Sequence, residues 1–403
     1  MRRFVRRSAA VALAITIVVG PVGSSPAGSD PYAAARRALK DVPCKAEVGA
    51  ETSKNLKTLQ SQTWPPDIET GELDVDGGLL LGHIYGSPGG LVTVDVSDPL
   101  RTKILSIFRL EGYFTYDVKM TVDRSTALLG FDDGLAFAGI AAVDIRDPAK
   151  PRLMNTWLSD RPGLLQNAHM LYTERIDGTD WIFLAPNDST GVWVLKLVGP
   201  PGDRKIEYVT QTLLVEGGPL GPHDMYIGFD EALDTWVLYA ADGYEGWLAY
   251  DIGDPTAPLF LGGFLHPSSG YTHTIQAGWI GERRIVATVE EVGVNLLKVY
   301  DATDLAMPVL LGVWHQSEGS GPVASQHNLQ IVDEQLYVAH YGNGIFVFDL
   351  KKIAEQDTPI TSEIEPVARY HPESTSFWDV VLEDGLVYTG KFSSGGGFDV
   401  VGF

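Results

Sequence analysis

The chain has 403 residues, 44% hydrophobic and 20% charged, with 30 Lys+Arg against 52 Asp+Glu and a net charge of −22. That apolar fraction excludes disorder over most of the length, and the acidic excess argues against a surface built for nucleic-acid phosphates. One cysteine excludes an intrachain disulfide and any thiolate-based zinc or iron–sulfur centre, so a metal would need His and carboxylate donors.

Met1 to Arg7 carries four arginines, an apolar stretch runs from Ala9 to Gly20, and Ser25 and Ala27 follow with the small-residue spacing of a cleavage site. This three-part pattern predicts a secretory signal over 1–27, and the apolar run is too short to span a bilayer. The mature chain is then secreted, periplasmic or held at the cell surface. Arg2-Arg3-Phe4 hints at twin-arginine export, and the route stays open between that and the general one. Residues 28–53 read as a linker holding Cys44, with 54–403 as the folded domain. No later segment is long and apolar enough to cross a membrane.

Leu56–Trp64 reads as a strand without a sheet of its own. After it, a pattern of alternating apolar residues, Asp and a turn recurs in LVTVDVSDP (91–99), IAAVDIRDP (140–148), WLAYDIGDP (247–255), LLKVYDATD (296–304) and GIFVFDLKK (344–352). The aligned acids are Asp95, Asp144, Asp251, Asp301 and Asp349, with Lys196 standing for Asp in GVWVLKL (191–197) and FDVVGF forming a shortened last copy. A period of roughly 50 residues is that of a four-stranded propeller blade. D-x-x-D-P suits a strand end where a carboxylate caps the turn and Pro stops the ladder. Seven A–B–C sets follow, the last without a D strand. The expected fold is therefore all-β, a seven-bladed propeller in which the N-terminal strand closes the last blade. In the fourth blade the strands are placed at His223–Gly228, Trp236–Ala241, Trp247–Ile252 and Leu259–Leu265.

These segments resemble the LVIVD-repeat family of β-propellers over 54–403, a resemblance that implies the fold and carries no assigned reaction.

Alignment of the repeats puts one residue per blade at the start of innermost strand A: Pro66, Tyr116, His169, His223, His273, His327 and Trp378. The ends of strand B add His83, Phe131, Pro186, Ala241, Val289, His340 and Lys391, and the ends of strand D add His266, His315 and His371. All nine histidines fall on one rim, with His169, His223, His273 and His327 in register at the channel mouth. Four converging imidazoles would hold a transition metal, Fe(II) first, with Cu or Zn as alternatives. Glu290 and Glu291 are placed to orient ligands from behind. Asp67, Asp117, Asp224, Asp379 and Asn328 occupy the next position and are expected to point away from the axis by strand alternation. That alternation gives weaker support to a further reading, a carboxylate-based calcium-dependent hydrolase, which a register shift of one residue would favour instead.

The four-histidine slot resembles the metal centres of two propeller groups. One is the carotenoid cleavage oxygenases, whose His-Asp motif is similar to GPHDM around His223. The other is the selenium-binding-protein/methanethiol oxidase group. The resemblance implies an oxidoreductase that oxidises or oxidatively cleaves a small organic substrate with O2. This chain lacks the long insertions that build a carotenoid tunnel. The substrate would meet Tyr116, Trp378, His83, His340 and Lys391, with Lys391 as an anion contact. Two alternatives remain from the residues: a non-catalytic propeller binding a protein or glycan through rim aromatics (Tyr113, Phe114, Tyr271, Phe377, Trp378), and a metal-dependent lyase or hydrolase.

Overall fold

The computed structural model describes residues 56–132, 137–159, 167–186, 191–212, 222–265, 270–293, 295–315, 325–355, 364–372, 375–393 and 395–402. Residues 1–53, read above as signal and linker, lie outside the described residues with Cys44, as does His266. Among the described residues the strands form seven four-stranded antiparallel sheets. They are blade 1 (69–110), blade 2 (114–158), blade 3 (170–211), blade 4 (224–265), blade 5 (270–314), blade 6 (329–370) and blade 7 (377–402). The fourth strand of blade 7 is Lys57–Gln62, paired antiparallel with Phe398–Gly402. The ring thus closes with the two ends of the fold in one sheet, which leaves no open sheet edge at the seam. Blade 4 runs Asp224–Asp230, Thr235–Ala241, Gly246–Asp251 and Leu259–Leu265, within two residues of the spans expected from the repeat. No helix among the described residues is long and apolar enough to cross a membrane.

The core lies between blades. Leu81 and Leu91 of blade 1 pack with Val118, Leu129 and Phe131 of blade 2, and at the seam Leu73 and Leu80 pack with Tyr388, Phe398 and Val400 of blade 7. Each middle strand has both faces covered by neighbouring sheets, so Gly89–Asp95 and Ala138–Asp144 are buried almost throughout. Their sequences accordingly read as continuous apolar runs. Burial of a side chain such as Trp193, Trp247 or Phe131, all fully enclosed, contributes about 1.5–3 kcal/mol each. Outer strands such as Lys103–Leu110 carry exposed residues on one side.

The repeated acids are turn caps. Asp95 accepts from Ser97 N and Oγ at 3.0 and 2.6 Å, Asp251 from Gly253 N at 2.8 Å, and Asp301 from Thr303 N at 3.0 Å. Asp144 is further held by Arg146 and Arg152. In the sixth copy Leu-Lys-Lys replaces the Pro turn, and Asp349 caps a short helix, Leu350–Ala354, through Lys352 N at 2.9 Å. Lys196, where the third copy lacks the acid, pairs with Glu207 of the adjoining strand at 3.5 Å.

Candidate functional site

The inner strands carry a bulge at the mouth. In blades 2, 5 and 7 the A–B ladder skips one residue, between Thr115 and Asp117, Thr272 and Thr274, and Phe377 and Asp379. The skipped residues are Tyr116, His273 and Trp378, and a bulge turns such a residue out of the ladder. In blade 1 the corresponding break falls between Thr70 and Leu73, so the equivalent of the histidine slot there is Gly71, not Pro66. A Cβ at Gly71 would come within 2.9 Å of the Trp378 ring and 3.1 Å of His83. Only glycine leaves room for those two rings. The acid at the next position in blade 1 is therefore Glu72. Asp67 lies on the surface, paired with Arg109 at 3.0 Å.

The slot residues meet in an arc. Ring centroids lie 4.3 Å apart for His169 and His223, 4.0 Å for His223 and His273, and 4.2 Å for His273 and His327. Tyr116 sits 5.3 Å from His169 at one end, and Trp378 sits 4.2 Å from His327 at the other. Tyr85 joins Trp378 at 5.5 Å and Phe114 at 4.8 Å, and Phe114 returns to Tyr116 at 4.9 Å. Eight rings thus form an unbroken collar. Phe392 and Tyr341 back it at 4.3 and 6.1 Å from Trp378.

Adjacent imidazoles touch along the arc. Among the described residues, one set of three donors lies mutually within 4.8 Å: His223, His273 and Glu291. His273 Nε2 is 3.5 Å from Glu291 Oε2, and Glu291 Oε1 accepts from Tyr341 OH at 2.8 Å. His169 and His327 flank this set on either side. Glu291 joins His223 and His273 in that mutually close set, beside the two other imidazoles of the expected four-histidine slot. Glu291, expected to stand behind a ligand, is itself in the donor set. Glu290 is not behind it either: its carboxylate points into blade 5, where it binds Lys298 Nζ and accepts from Leu296 N at 3.1 Å. Strand alternation separates the two neighbours.

A second tier sets the tautomers. Asn328 Nδ2 donates to Glu72 Oε2 at 2.7 Å and to Asp379 Oδ1 at 2.9 Å, which makes Asn328 Oδ1 the acceptor from His327 Nδ1 at 2.9 Å. Thr274 Oγ1 donates to Asn328 Oδ1 at 3.3 Å, so it accepts from His273 Nδ1 at 2.7 Å. Both rings therefore keep the Nε2 lone pair free, the arrangement that metal-binding imidazoles share. His223 Nδ1 is buried with no hydrogen-bond partner in the described structure. Burial pushes His169 down to about 4 and His273 down to about 3. His223 and His327 fall well below the usual imidazole range, first from burial and then from the neighbouring imidazoles. All four are neutral donors near pH 7.

The acids of that tier do not point away from the axis. An inner strand borders the channel with its unpaired edge, so its side chains lean toward one adjoining blade or the other. There they satisfy edge N–H groups: Asp379 accepts from Leu73 N at 2.8 Å, Asp117 from Leu171 N at 2.7 Å, and Asp74 from Met120 N at 2.5 Å. Gln276 and Gln330 serve Ile331 N and Leu382 N in the same way, at 2.7 and 2.5 Å. Below the collar lies a chamber of about 240 Å³ bordered by Glu72, Asp74, Lys119, Asp224, Asn328 and Asp379. Lys119 pairs with Asp117 at 2.9 Å. Burial raises Asp74 to about 6 and Asp224 to about 7, and it lifts Glu72 well above the carboxylate range together with the charge of Asp379.

Other expected contacts lie elsewhere. Lys391 is nearly buried, bound to Asp399 at 2.8 Å and Ser61 at 2.9 Å, and so fastens the closing seam. His340 is enclosed beside Trp314 and Phe346, with Nδ1 3.2 Å from Asn343 Nδ2. His83 is buried behind Gly71, its Nδ1 accepting from Glu72 N at 2.9 Å. All three occupy strand ends whose side chains turn into the sheet packing. Of the rim aromatics, Phe377 is fully buried and Tyr113 packs on Phe131, whereas Tyr271 stands against His223 at 5.5 Å. His371 is exposed, with Nε2 2.9 Å from Gly342 O. Tyr85, Phe392, Tyr341 and Glu72 escaped the sequence reading. Tyr85 and Tyr341 do follow His83 and His340 closely along their strands, a signal that was present.

No family model matches the chain, and no curated protein matches it by sequence. Solved structures do resemble it. The C-terminal WD40 domain of Sif2 is 14% identical with a TM-score of 0.53, covering 87% of this chain and 99% of that one. The computationally designed Ika8 protein is 12% identical at 0.52, covering 86% and 100%. Saccharomyces cerevisiae Sqt1 is 11% identical at 0.50, covering 86% and 99%. At such identities the likeness establishes a β-propeller and nothing about activity.

Proposed function

We propose that this chain is an exported, metal-dependent oxidoreductase of the LVIVD-repeat kind. Its metal is held at the channel mouth by His223, His273 and Glu291. The observation that carries the reading is His223, whose Nδ1 is buried without a partner in the described structure and which offers a ring nitrogen within 4.8 Å of donor atoms on His273 and Glu291. A buried nitrogen lone pair without a donor is costly unless something occupies it. Two imidazoles and a carboxylate suit Fe(II), leave coordination positions open, and also accept Cu or Zn. The metal would supply the redox chemistry. The chain's own residues keep the imidazoles neutral, present Nε2 of His273 and His327, and enclose a small organic substrate within the collar.

Elemental analysis after supplementation with Fe(II), Cu(II) and Zn(II) tests this, with wild type compared with the His223→Ala/His273→Ala double variant. About one equivalent in wild type and loss in the variant is expected. Wild type free of stoichiometric metal would sink the reading. Bound metal without O2 uptake on any candidate substrate would shift it to the lyase or hydrolase variant. The collar aromatics favour a second reading, a non-catalytic propeller that binds a protein or glycan, which the metal-free outcome would support.

A further inference from the structure

We infer that the collar receives an organic cation, of the quaternary-ammonium or protonated-amine class. The inference rests on reading the mouth as the ligand site and names what that site takes.

Three aromatic groups at the mouth have their polar hydrogens committed to carboxylates. Trp378 Nε1 donates to Glu72 at 2.6 Å, Tyr341 OH to Glu291 at 2.8 Å, and Tyr116 OH to Asp132. These bonds remove the donors with which a mouth of Trp and Tyr would otherwise greet an anion. They also push electron density into the rings, whose faces already carry the negative end of a quadrupole. Trp is the strongest ring for holding a cation, and half-buried Trp378 stands between Tyr85 and His327 with Phe392 behind it.

The surroundings supply carboxyl groups and, among the described residues, no unpaired lysine. Beneath the collar, Glu72, Asp74, Asp224 and Asp379 border a chamber whose one lysine, Lys119, is bound to Asp117. Lys391, the cation expected to meet a substrate, is bound to Asp399. Among the described residues the cation–π contacts are Arg284 over Trp279 and Arg369 over Phe346, neither ring belonging to the collar. The faces of Trp378, Tyr85 and Phe114 thus lack an internal cation there. A metal on His223 and His273 would use lone pairs in the ring planes, and an organic cation would use π faces, so the two do not compete for the same atoms.

The test is calorimetric titration of the full chain with choline, its neutral isostere 3,3-dimethylbutan-1-ol, and butyrate. Each runs on protein stripped of metal and on protein loaded with Zn(II), with zinc stoichiometry measured separately. Choline is expected to bind roughly tenfold tighter than the isostere, with butyrate weakest. Glu72→Gln, which keeps an oxygen acceptor for Trp378 and removes the ionisable carboxyl group, should weaken choline several-fold and leave the isostere unmoved. Trp378→Leu should abolish the preference; should it fail to fold, the ligand comparison on wild type and Glu72→Gln decide. Equal binding of choline and isostere, tighter binding of butyrate, or no choline binding would overturn the inference. Choline binding by a chain that takes up no metal would leave it standing and overturn the metal centre; metal uptake without choline preference would do the reverse.

Discussion

Aspartates at the outer turns and aspartates at the channel come from the same repeats and do opposite things. Asp95 and Asp144 sit at turns, where hydrogen bonds from Ser97 and from Arg146 hold their carboxyls below the usual range, Asp144 at about 2. Asp74 and Asp224 sit at the inner edge, where burial raises them to about 6 and about 7. Both sets satisfy backbone N–H groups. The difference is water: a turn carboxylate keeps its hydration, whereas a channel carboxylate trades hydration for binding two blades together. One residue type thus builds the blade at one radius and the acidic chamber at another.

Four measurements would break or sharpen that contrast. Asp379→Ala should be the most damaging, because it strips an acceptor from Leu73 N, Val380 N and Asn328 Nδ2 together. A loss of about 3 kcal/mol in denaturant unfolding is expected, and a loss below about 1 kcal/mol would mean that the channel acids are dispensable.

Next is pH. Asp74, raised to about 6, stays protonated in the folded state while the unfolded chain ionises near pH 4. Folding then binds the extra proton, so this group makes stability fall as pH rises from about 4 to 6, by on the order of 1 kcal/mol per unit. Lys119, Asp117 and Asp379 act on it electrostatically. Asp74→Asn, which keeps an acceptor for Met120 N, should flatten that slope in thermal unfolding. The turn acids have the reverse sign: Asp144, held at about 2, contributes stability above about pH 4 that is lost as pH falls toward 2. An unchanged slope in Asp74→Asn would remove the electrostatic half of the comparison.

Asp349→Ala, at the cap of the short helix, should cost about 1 kcal/mol in the same assay. Asp67→Ala should be the smallest change, within about 0.5 kcal/mol, because its ion pair with Arg109 is solvent-exposed. A larger effect there would return Asp67 to the inner-strand position that the sequence alignment gave it.

The propeller was legible because its repeat encodes it locally. Each D-x-x-D-P segment carries its own turn, and each apolar run its own strand, so Leu259–Leu265 could be placed without seeing blade 4. The closing strand was legible too, since Leu56–Trp64 had no sheet and the last copy lacked a strand. The slot in blades 2 to 7 followed from the same alignment. It failed in blade 1, where glycine replaces the marker side chain and Pro66 offered a false match. It failed again for Lys391, His340 and Glu290, because strand-end position does not say which way a side chain turns once neighbouring sheets pack on both faces.

The sequence by itself determined the seven blades, their turns, the closure and the convergence of four histidines on one mouth, all of which follow from short-range periodicity and chain order. Tertiary structure alone decided which donors come within reach of one another, that Glu291 joins His223 and His273, and that the channel acids face their neighbours across the blades. These depend on bulges at Tyr116, His273 and Trp378 and on the approach of strands from different blades, and distances across the ring leave no mark in local sequence.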